Sequence, residues 1–393
     1  MSVTDADDGA VGLDGRIVVV GGGLAAARVI STLRRKKVTG PIDVVTAEQH
    51  LPYDRPPLSK DVLAGAKDSS ALRFDPEKLD ISVHTGRVAT GVDTRARVLY
   101  TDQGDLPFDG LVIATGADPI RLPGTGEQFT LRTIDDALAL RDRLTPGTRV
   151  VIIGASWIGA EVATTALARG CAVTCLEYSP APLAKALGTD VADHLLPWWS
   201  DIDLRCDTSV REVADAGVVL DDGTIIPADV VVTGIGVRPA VGWLSGSDVD
   251  VDRGVITDEY CRTSVPGVVA LGDAAERWSP RADRHLVTEH WDDAGGAATT
   301  AAVALLGETQ AYDPVPYFWS DQFGHKVQYV GTHEPEDVAH ITTTSDSDAL
   351  DTVTWISPHG TLTAWLGVDR PRDVIPARLA IGSPAADFAA AQA

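Results

Sequence analysis

Residues 16–28, RIVVVGGGLAAAR, decide the fold. A short apolar run stops at three glycines and opens into AARVISTLRR, a segment able to form a helix. Gly21, Gly23 and Ala26 match G-x-G-x-x-A. The first glycine permits a tight turn, the second leaves room for a pyrophosphate, and the alanine lets helix and strand pack closely. Backbone amides at the helix start then face the diphosphate, aided by the helix dipole. The next apolar segment, PIDVVTAE, ends at Glu48, whose carboxylate can accept hydrogen bonds from an adenosine ribose. A glycine triplet alone is as often only a turn. Strand, glycines, helix, strand and acid in succession read as a dinucleotide-binding unit.

The pattern returns at residues 149–170, RVVIIGASWIGAEVATTALARG. Gly154, Ser156 and Gly159 precede a helix, and the following strand, CAVTCLE, ends at Glu177. Ser156 replaces the usual middle glycine and narrows the approach to a diphosphate. Its hydroxyl is itself a candidate phosphate ligand. Glu177 binds a free ribose diol but repels a phosphate there, which favours NAD over NADP. Two such units predict two dinucleotides held face to face, and flavin with nicotinamide is the common chemical pair. One copy retained purely as a scaffold is the alternative.

Further strand-to-turn junctions follow. LVIATGADPIRLPG (111–124) carries Thr115 and Gly116, and DVVVTGIGVRPA (229–240) carries Gly234 and Gly236. GVVALGDAAE (267–276) sets Gly272 and Asp273 at a strand end. An aspartate there is often only an N-cap; beside the first nucleotide unit it also fits flavin ribitol.

Composition narrows the function. The chain has 393 residues, with 56 Asp plus Glu against 33 Lys plus Arg and a formal charge of -23. Such a polyanion repels nucleic acids and anionic membranes. The first residues lack the basic and apolar regions of a secretory signal, and no apolar run approaches a membrane span, so the expected location is cytoplasmic. Cys171, Cys175, Cys206 and Cys261 include no C-x-x-C pair, and no His/Cys cluster suggests a metal.

With these motifs in hand, the chain resembles the FAD-dependent NADH:ferredoxin reductases of the rubredoxin and putidaredoxin reductase type, related to apoptosis-inducing factor. The resemblance covers nearly the whole chain. It implies an α/β fold of two Rossmann-like domains with a C-terminal α+β domain. The expected segments are 15–122 and 251–317 for the FAD domain, 123–250 for the NAD domain, and 318–393 for the last domain and tail.

PYDRPPLSKDVL (52–63) is the most specific signature. By resemblance, Arg55 contacts FAD and Lys60 lies beside the isoalloxazine, where a cation stabilises charge developing on the ring. Composition alone would leave Lys60 in solvent. The resemblance also places Glu161 near the nicotinamide, paired with Lys60; from the residues alone it is equally a surface acid of its helix. RHLVTEHWDDAG (284–295) implies Glu289 orienting nicotinamide, with His290 and Trp291 close to the flavin. Gly295-Gly296 depart from the longer residue and glutamine-glycine of relatives, which predicts a looser helix. YFWSDQFGHKVQYVG (317–331) begins the last domain, where Phe318 and Trp319 cover the flavin or line a route to a partner, or are ordinary core.

The implied reaction takes hydride from NADH and passes single electrons to an iron-sulfur ferredoxin that serves a P450 or oxygenase. Two arginine runs, Arg277/Arg281/Arg284 and Arg370/Arg372/Arg378, are candidate docking charges for an acidic ferredoxin. A monomer or weak homodimer is expected. Disulfide reductases with related domains carry a redox cysteine pair where this chain has PYDRPPLSK, so that chemistry is excluded. Two alternatives stay open: an NADH oxidase or monooxygenase using oxygen directly, and an NAD-sensing flavoprotein. Residues 343–351 read as an exposed loop, and the closing residues as a loose tail or short helix.

Overall fold

In the computed structural model, which describes residues 9–344 and 349–392, Ile17–Val20 is the central strand of a five-stranded parallel sheet. The order across it is Val268–Ala270, Gly110–Ile113, Ile17–Val20, Ile42–Thr46 and Ser82–Thr85. Ile17 and Val19 enter one apolar cluster with the helices Leu24–Arg35 and Trp291–Leu305, while Val18 and Val20 enter a second on the opposite face. Burial on both faces explains why the strand reads as an unbroken apolar run rather than an alternation.

The chain forms two units. The first comprises residues up to Asp54, Ala71–Asp118 and Arg238–Pro314; the second comprises Arg55–Ser70, Pro119–Val237 and Val315–Ala393. Arg55–Ser70 lies between strands of the first sheet in sequence, yet Leu63 is fully buried in the apolar cluster of the second unit. Conversely, Leu244 and Val249 pack in the first unit, against Val18, Val20 and Leu111.

The second unit is built on a four-stranded parallel sheet ordered Asp203–Arg205, Ala172–Leu176, Arg149–Ile153 and Val230–Thr233. The helix Trp157–Ala168 follows its glycine turn. A five-stranded antiparallel sheet completes the unit, ordered Tyr317–Gln322, His325–Gly331, Leu362–Val368, Leu350–Ile356 and Val338–Thr343. One face packs Tyr329, Val353, Trp355 and Leu366 against Leu183, Leu187 and Leu195. The other covers Val330 and Trp365 with Val374, Ala377 and Phe388. The period-two alternation along each strand produces this division.

Of the expected loop 343–351, residues 345–348 lie outside the described residues, and its flanks belong to the strands Val338–Thr343 and Leu350–Ile356. The closing residues form the helix Ala385–Gln392. The helix Trp291–Leu305 is continuous through Gly295-Gly296 rather than loose. A Cβ at Gly296 would come within 2.1 Å of the Tyr312 hydroxyl, so the glycine lets that ring close on the helix. Among the described residues, no helix is long and apolar enough to cross a membrane.

Candidate functional site

The first unit gathers Gly21, Gly23, Ala26, Glu48, Thr115, Gly116, Gly272, Asp273, Glu289, His290 and Trp291. Gly21 has φ +124°, and a Cβ there would sit 2.1 Å from the Ala114 carbonyl oxygen. At Gly23, by contrast, a Cβ would meet nothing within 4 Å. The space before the helix is therefore open, and Gly23 caps the helix without a side-chain bond, leaving its first amides for an anion. Thr115 Oγ1 is buried without a hydrogen-bond partner. An open cradle over a helix start, with an orphaned hydroxyl beside the adjacent strand end, fits a bound FAD.

Glu48 lies two residues past its strand and accepts a hydrogen bond from the Tyr53 hydroxyl. Trp291 Nε1 donates to Asp54 Oδ1 at 2.8 Å, so two residues of the PYDRPPLSK signature fix side chains of this unit. Burial pushes His290 below the ordinary imidazole value against the opposing pull of Asp293, Asp273 and Asp292, which leaves it neutral at physiological pH.

The second unit gathers Arg55, Lys60, Gly154, Ser156, Gly159, Glu161, Glu177, Gly236 and Trp319. Gly154 has φ +98°, and a Cβ at Gly159 would lie 2.0 Å from the Gly154 carbonyl oxygen, so helix and turn require both glycines. Ser156 caps the helix: its Oγ accepts from Gly159 N at 3.1 Å and donates to Gly234 O at 2.7 Å. The hydroxyl is thus held within the loop, and backbone amides are left to meet a diphosphate. Glu177 follows the strand Ala172–Leu176, with Oε2 accepting from Ala155 N at 2.6 Å and Oε1 from Ser179 N at 2.7 Å. An acid anchored at the glycine turn, with lone pairs remaining on both oxygens, fits the adenosine ribose of NAD.

Lys60 and Glu161 meet. Lys60 Nζ lies 2.8 Å from Glu161 Oε2, and the carboxylate is 4% exposed. The surface-acid reading of Glu161 is thereby corrected: its helix turns this residue inward. Pro56 and Pro57 open the short 3-10 turn Pro56–Ser59 after Arg55, whose guanidinium donates to the Arg132 carbonyl. Prolines preset that turn and so place Ser59 and Lys60. Sequence reasoning missed the remaining donors to Glu161. The Ser59 hydroxyl donates to Oε2; Ser320 Oγ donates to Oε1 at 2.7 Å and the Asp321 amide at 3.1 Å. Ser59 and Ser320 both stand inside quoted segments, 52–63 and 317–331, but a serine in either gives no sign of a distant carboxylate partner. Trp319 stacks on Tyr317, with ring centroids 6.1 Å apart, and the Arg378 guanidinium lies over Tyr317.

The profile of the pyridine nucleotide-disulphide oxidoreductases matches residues 15–298, and that of the reductase C-terminal region matches residues 317–393. The chain belongs to the pyridine nucleotide-disulphide oxidoreductase family. It is 36% identical over 327 residues to the ferredoxin–NAD(+) reductase component of the p-cumate 2,3-dioxygenase system of Pseudomonas putida, covering 80% of this chain and 81% of that relative. The crystal structure of Fdr9 superposes with a TM-score of 0.91 at 54% identity, covering 94% and 95% of the two chains. The covalent putidaredoxin reductase–putidaredoxin complex gives 0.88 at 29% identity, covering 94% and 93%.

Membership in this family supplies the dinucleotide architecture without the thiol chemistry in its name. Cys171, Cys175 and Cys261 are buried, and all four thiols are free. Burial pushes Cys261 up to about 12 and Cys175 well above its ordinary value; Cys171 and Cys206 are raised for the same first reason. Thiolates are therefore scarce at pH 8. Brief iodoacetamide treatment of native enzyme at that pH is expected to leave NADH-driven flavin reduction within about twofold of the untreated rate; a stoichiometric loss of activity would contradict a thiol-free mechanism.

The docking arginines need one correction. Arg277 is buried, its two guanidinium nitrogens 3.2 and 2.8 Å from the Asp293 oxygens and its plane over Tyr312. Every residue of Ala275–Ser279 except Trp278 is buried, so Arg277 is enclosed with Asp293 and is not a surface charge. Arg281, Arg284, Arg370 and Arg372 are exposed, although Arg370 is held by both oxygens of Asp351.

Proposed function

We infer that the chain is an FAD-dependent NADH:ferredoxin reductase that passes electrons to a small iron-sulfur ferredoxin serving an oxygenase or P450. The reading rests on one observation: two dinucleotide turns and a reductase C-terminal region stand in one chain, over the length shared with reductase components of oxygenase systems. When bound, FAD would supply acceptance of one hydride from NADH and release of its two electrons one at a time. This chain's residues seat the dinucleotides and hold charge. Gly21, Gly23 and the helix start cradle the FAD diphosphate, with Glu48 on its ribose and Thr115 and Asp273 beside it. Gly154, Gly159 and Glu177 seat NADH. Lys60, held by Glu161, would supply the cation for the electron-rich ring, and Trp319 would cover the flavin or line the route to the ferredoxin. Exposed arginines such as Arg281, Arg284 and Arg372 offer local positive charge on a chain of net charge -23. The cytoplasm, where NADH and reduced ferredoxin coexist, is the proposed location.

Anaerobic titration of the purified yellow protein with NADH tests this reading. One equivalent is expected to bleach the oxidised-flavin bands and raise a long-wavelength nicotinamide–flavin absorption. Subsequent addition of a two-iron ferredoxin then restores the flavin bands, two equivalents per NADH. A flavin spectrum unchanged by NADH overturns the assignment.

A further inference from the structure

Five aromatic rings run in contact through the second unit. Trp157 opens the helix after the second glycine turn, and its indole meets the Phe318 ring edge-on, with centroids 4.9 Å apart. Phe318 stands opposite Tyr329 across two antiparallel strands and stacks on it at 5.4 Å. Tyr329 then meets Trp355 at 5.6 Å, and Trp355 lies nearly parallel to His333, at 4.6 Å and 13°. Ala364, the strand partner of both Trp355 and Gly331, carries too little side chain to separate these last rings.

The run ends in a pair built to move a proton. The Tyr329 hydroxyl lies 2.6 Å from His333 Nδ1; Tyr329 is buried, while His333 reaches partway to solvent. Burial holds the phenol well above its ordinary value and the imidazole below its own, the latter against the pull of Asp337 and Glu334. A protonated phenol therefore faces a neutral imidazole whose Nδ1 accepts. The loop is fixed on both sides of His333: Thr332 N donates to Thr363 O at 3.1 Å, and Glu334 N to Asp337 Oδ2 at 3.0 Å. Indole, phenol and sulfur are the side-chain groups that yield an electron most readily, and a phenol yields it more readily when a positioned base takes its proton. Sulfur is scarce in this chain: methionine occurs once, at residue 1, and burial suppresses the thiolate of all four cysteines.

We propose that Tyr329 is a redox-active residue which, with His333 as its proton acceptor, takes over an electron vacancy arising at Trp157 and carries it away from the dinucleotide turn. The oxidant is a one-electron, oxygen-derived radical, the class formed when a redox enzyme leaks electrons to oxygen. That radical takes one electron from the Trp157 indole, which gives up a proton to solvent. An electron from Tyr329 refills the indole by way of the Phe318 ring, and the indole recovers a proton from solvent. The phenol proton passes to His333 Nδ1, leaving a neutral phenoxyl radical beside an imidazolium. Phe318 is a bridge in this sequence and is not itself oxidised. The inference goes beyond the reductase reading and needs no step of it.

Pulse radiolysis of the FAD-loaded enzyme, with azide radical as the one-electron oxidant of accessible indoles, tests the proposal. In wild type, indole-radical absorbance is expected to decay into phenoxyl absorbance in a phase whose rate is independent of protein concentration and slower in heavy water. That phase is expected to vanish in Tyr329→Phe and in Trp157→Phe. In His333→Phe, which keeps a ring against Trp355 but has no base for the proton, it is expected to slow by about a hundredfold. Flavin bleaching by NADH is expected to be the same in Tyr329→Phe as in wild type. A wild type without the phase, or with one indifferent to heavy water, overturns the proposal before any variant is made. So does a phase left unaltered by any of the three substitutions.

Discussion

Protein carrying Gly21→Ala is expected to purify nearly colourless, with less than about a tenth of the FAD bound by wild type. The new methyl carbon would stand 2.1 Å from the Ala114 carbonyl oxygen and 2.5 Å from its carbon, both backbone atoms. The turn cannot slide away cheaply, because the Gly21 amide donates to Val45 O at 2.8 Å and the Ala114 amide to Val20 O at 2.8 Å. The backbone also sits at φ +124°, where an L side chain adds strain of about 1–3 kcal/mol. The relief available is a displacement of the turn, which carries Gly23 and the helix start with it. Gly23→Ala is the companion variant. Its Cβ meets no protein atom within 4 Å, so the flavin-free protein is expected to melt like flavin-free wild type while FAD affinity falls. Absorbance at the flavin band against protein concentration measures the first effect, and thermal melting of the stripped proteins measures the second. Stoichiometric FAD in Gly21→Ala would remove this turn from the cofactor site.

Gly21 also shows why so much of the fold could be read from sequence. A turn with positive φ beside a neighbouring carbonyl admits glycine almost alone, so backbone geometry is written directly into residue type. The same holds for Gly154 and for the apolar runs that two-sided burial imposes on parallel strands. Side-chain partnerships across the chain leave no comparable trace. Glu161 finds Ser59 and Lys60 about a hundred positions upstream and Ser320 far downstream, and no spacing rule links such residues. Arg277 failed as a surface charge because a basic run says nothing about which strand face each side chain takes; Asp293 neutralises it from the following helix. In sequence Ser156 reads as a narrowed approach to the diphosphate with a hydroxyl for phosphate; in the structure that hydroxyl caps the helix and binds the Gly234 carbonyl.

Glu161→Ala is expected to lower stability by about 3–5 kcal/mol and Tm by about 10 °C. The carboxylate is nearly buried and accepts from the Ser59 hydroxyl, the Lys60 ammonium, the Ser320 hydroxyl and the Asp321 amide. Its removal leaves Lys60, whose side chain is 22% exposed, without a counter-charge and two buried serine hydroxyls without their acceptor. Lys60 Nζ retains only weak contacts, 3.4 Å to Pro56 O and 3.5 Å to Ser59 Oγ, so its position is lost with its partner. Flavin reduction by NADH in this variant is expected to slow by about a hundredfold, the scale of losing one oriented charge at a reacting ring. Two milder variants separate position from stability. Ser320→Ala removes one of four donors and is expected to cost about 1 kcal/mol, with a proportionately small effect on rate. Glu161→Gln keeps the shape but turns an amide toward donors, so it should fold better than alanine while reducing flavin nearly as slowly. Urea melts give the stability order, and stopped-flow flavin bleaching under saturating NADH gives the rates. Wild-type bleaching rates in Glu161→Gln would mean that the Lys60–Glu161 pair serves the fold alone; an unchanged melt in Glu161→Ala would mean that the four bonds do not hold it together.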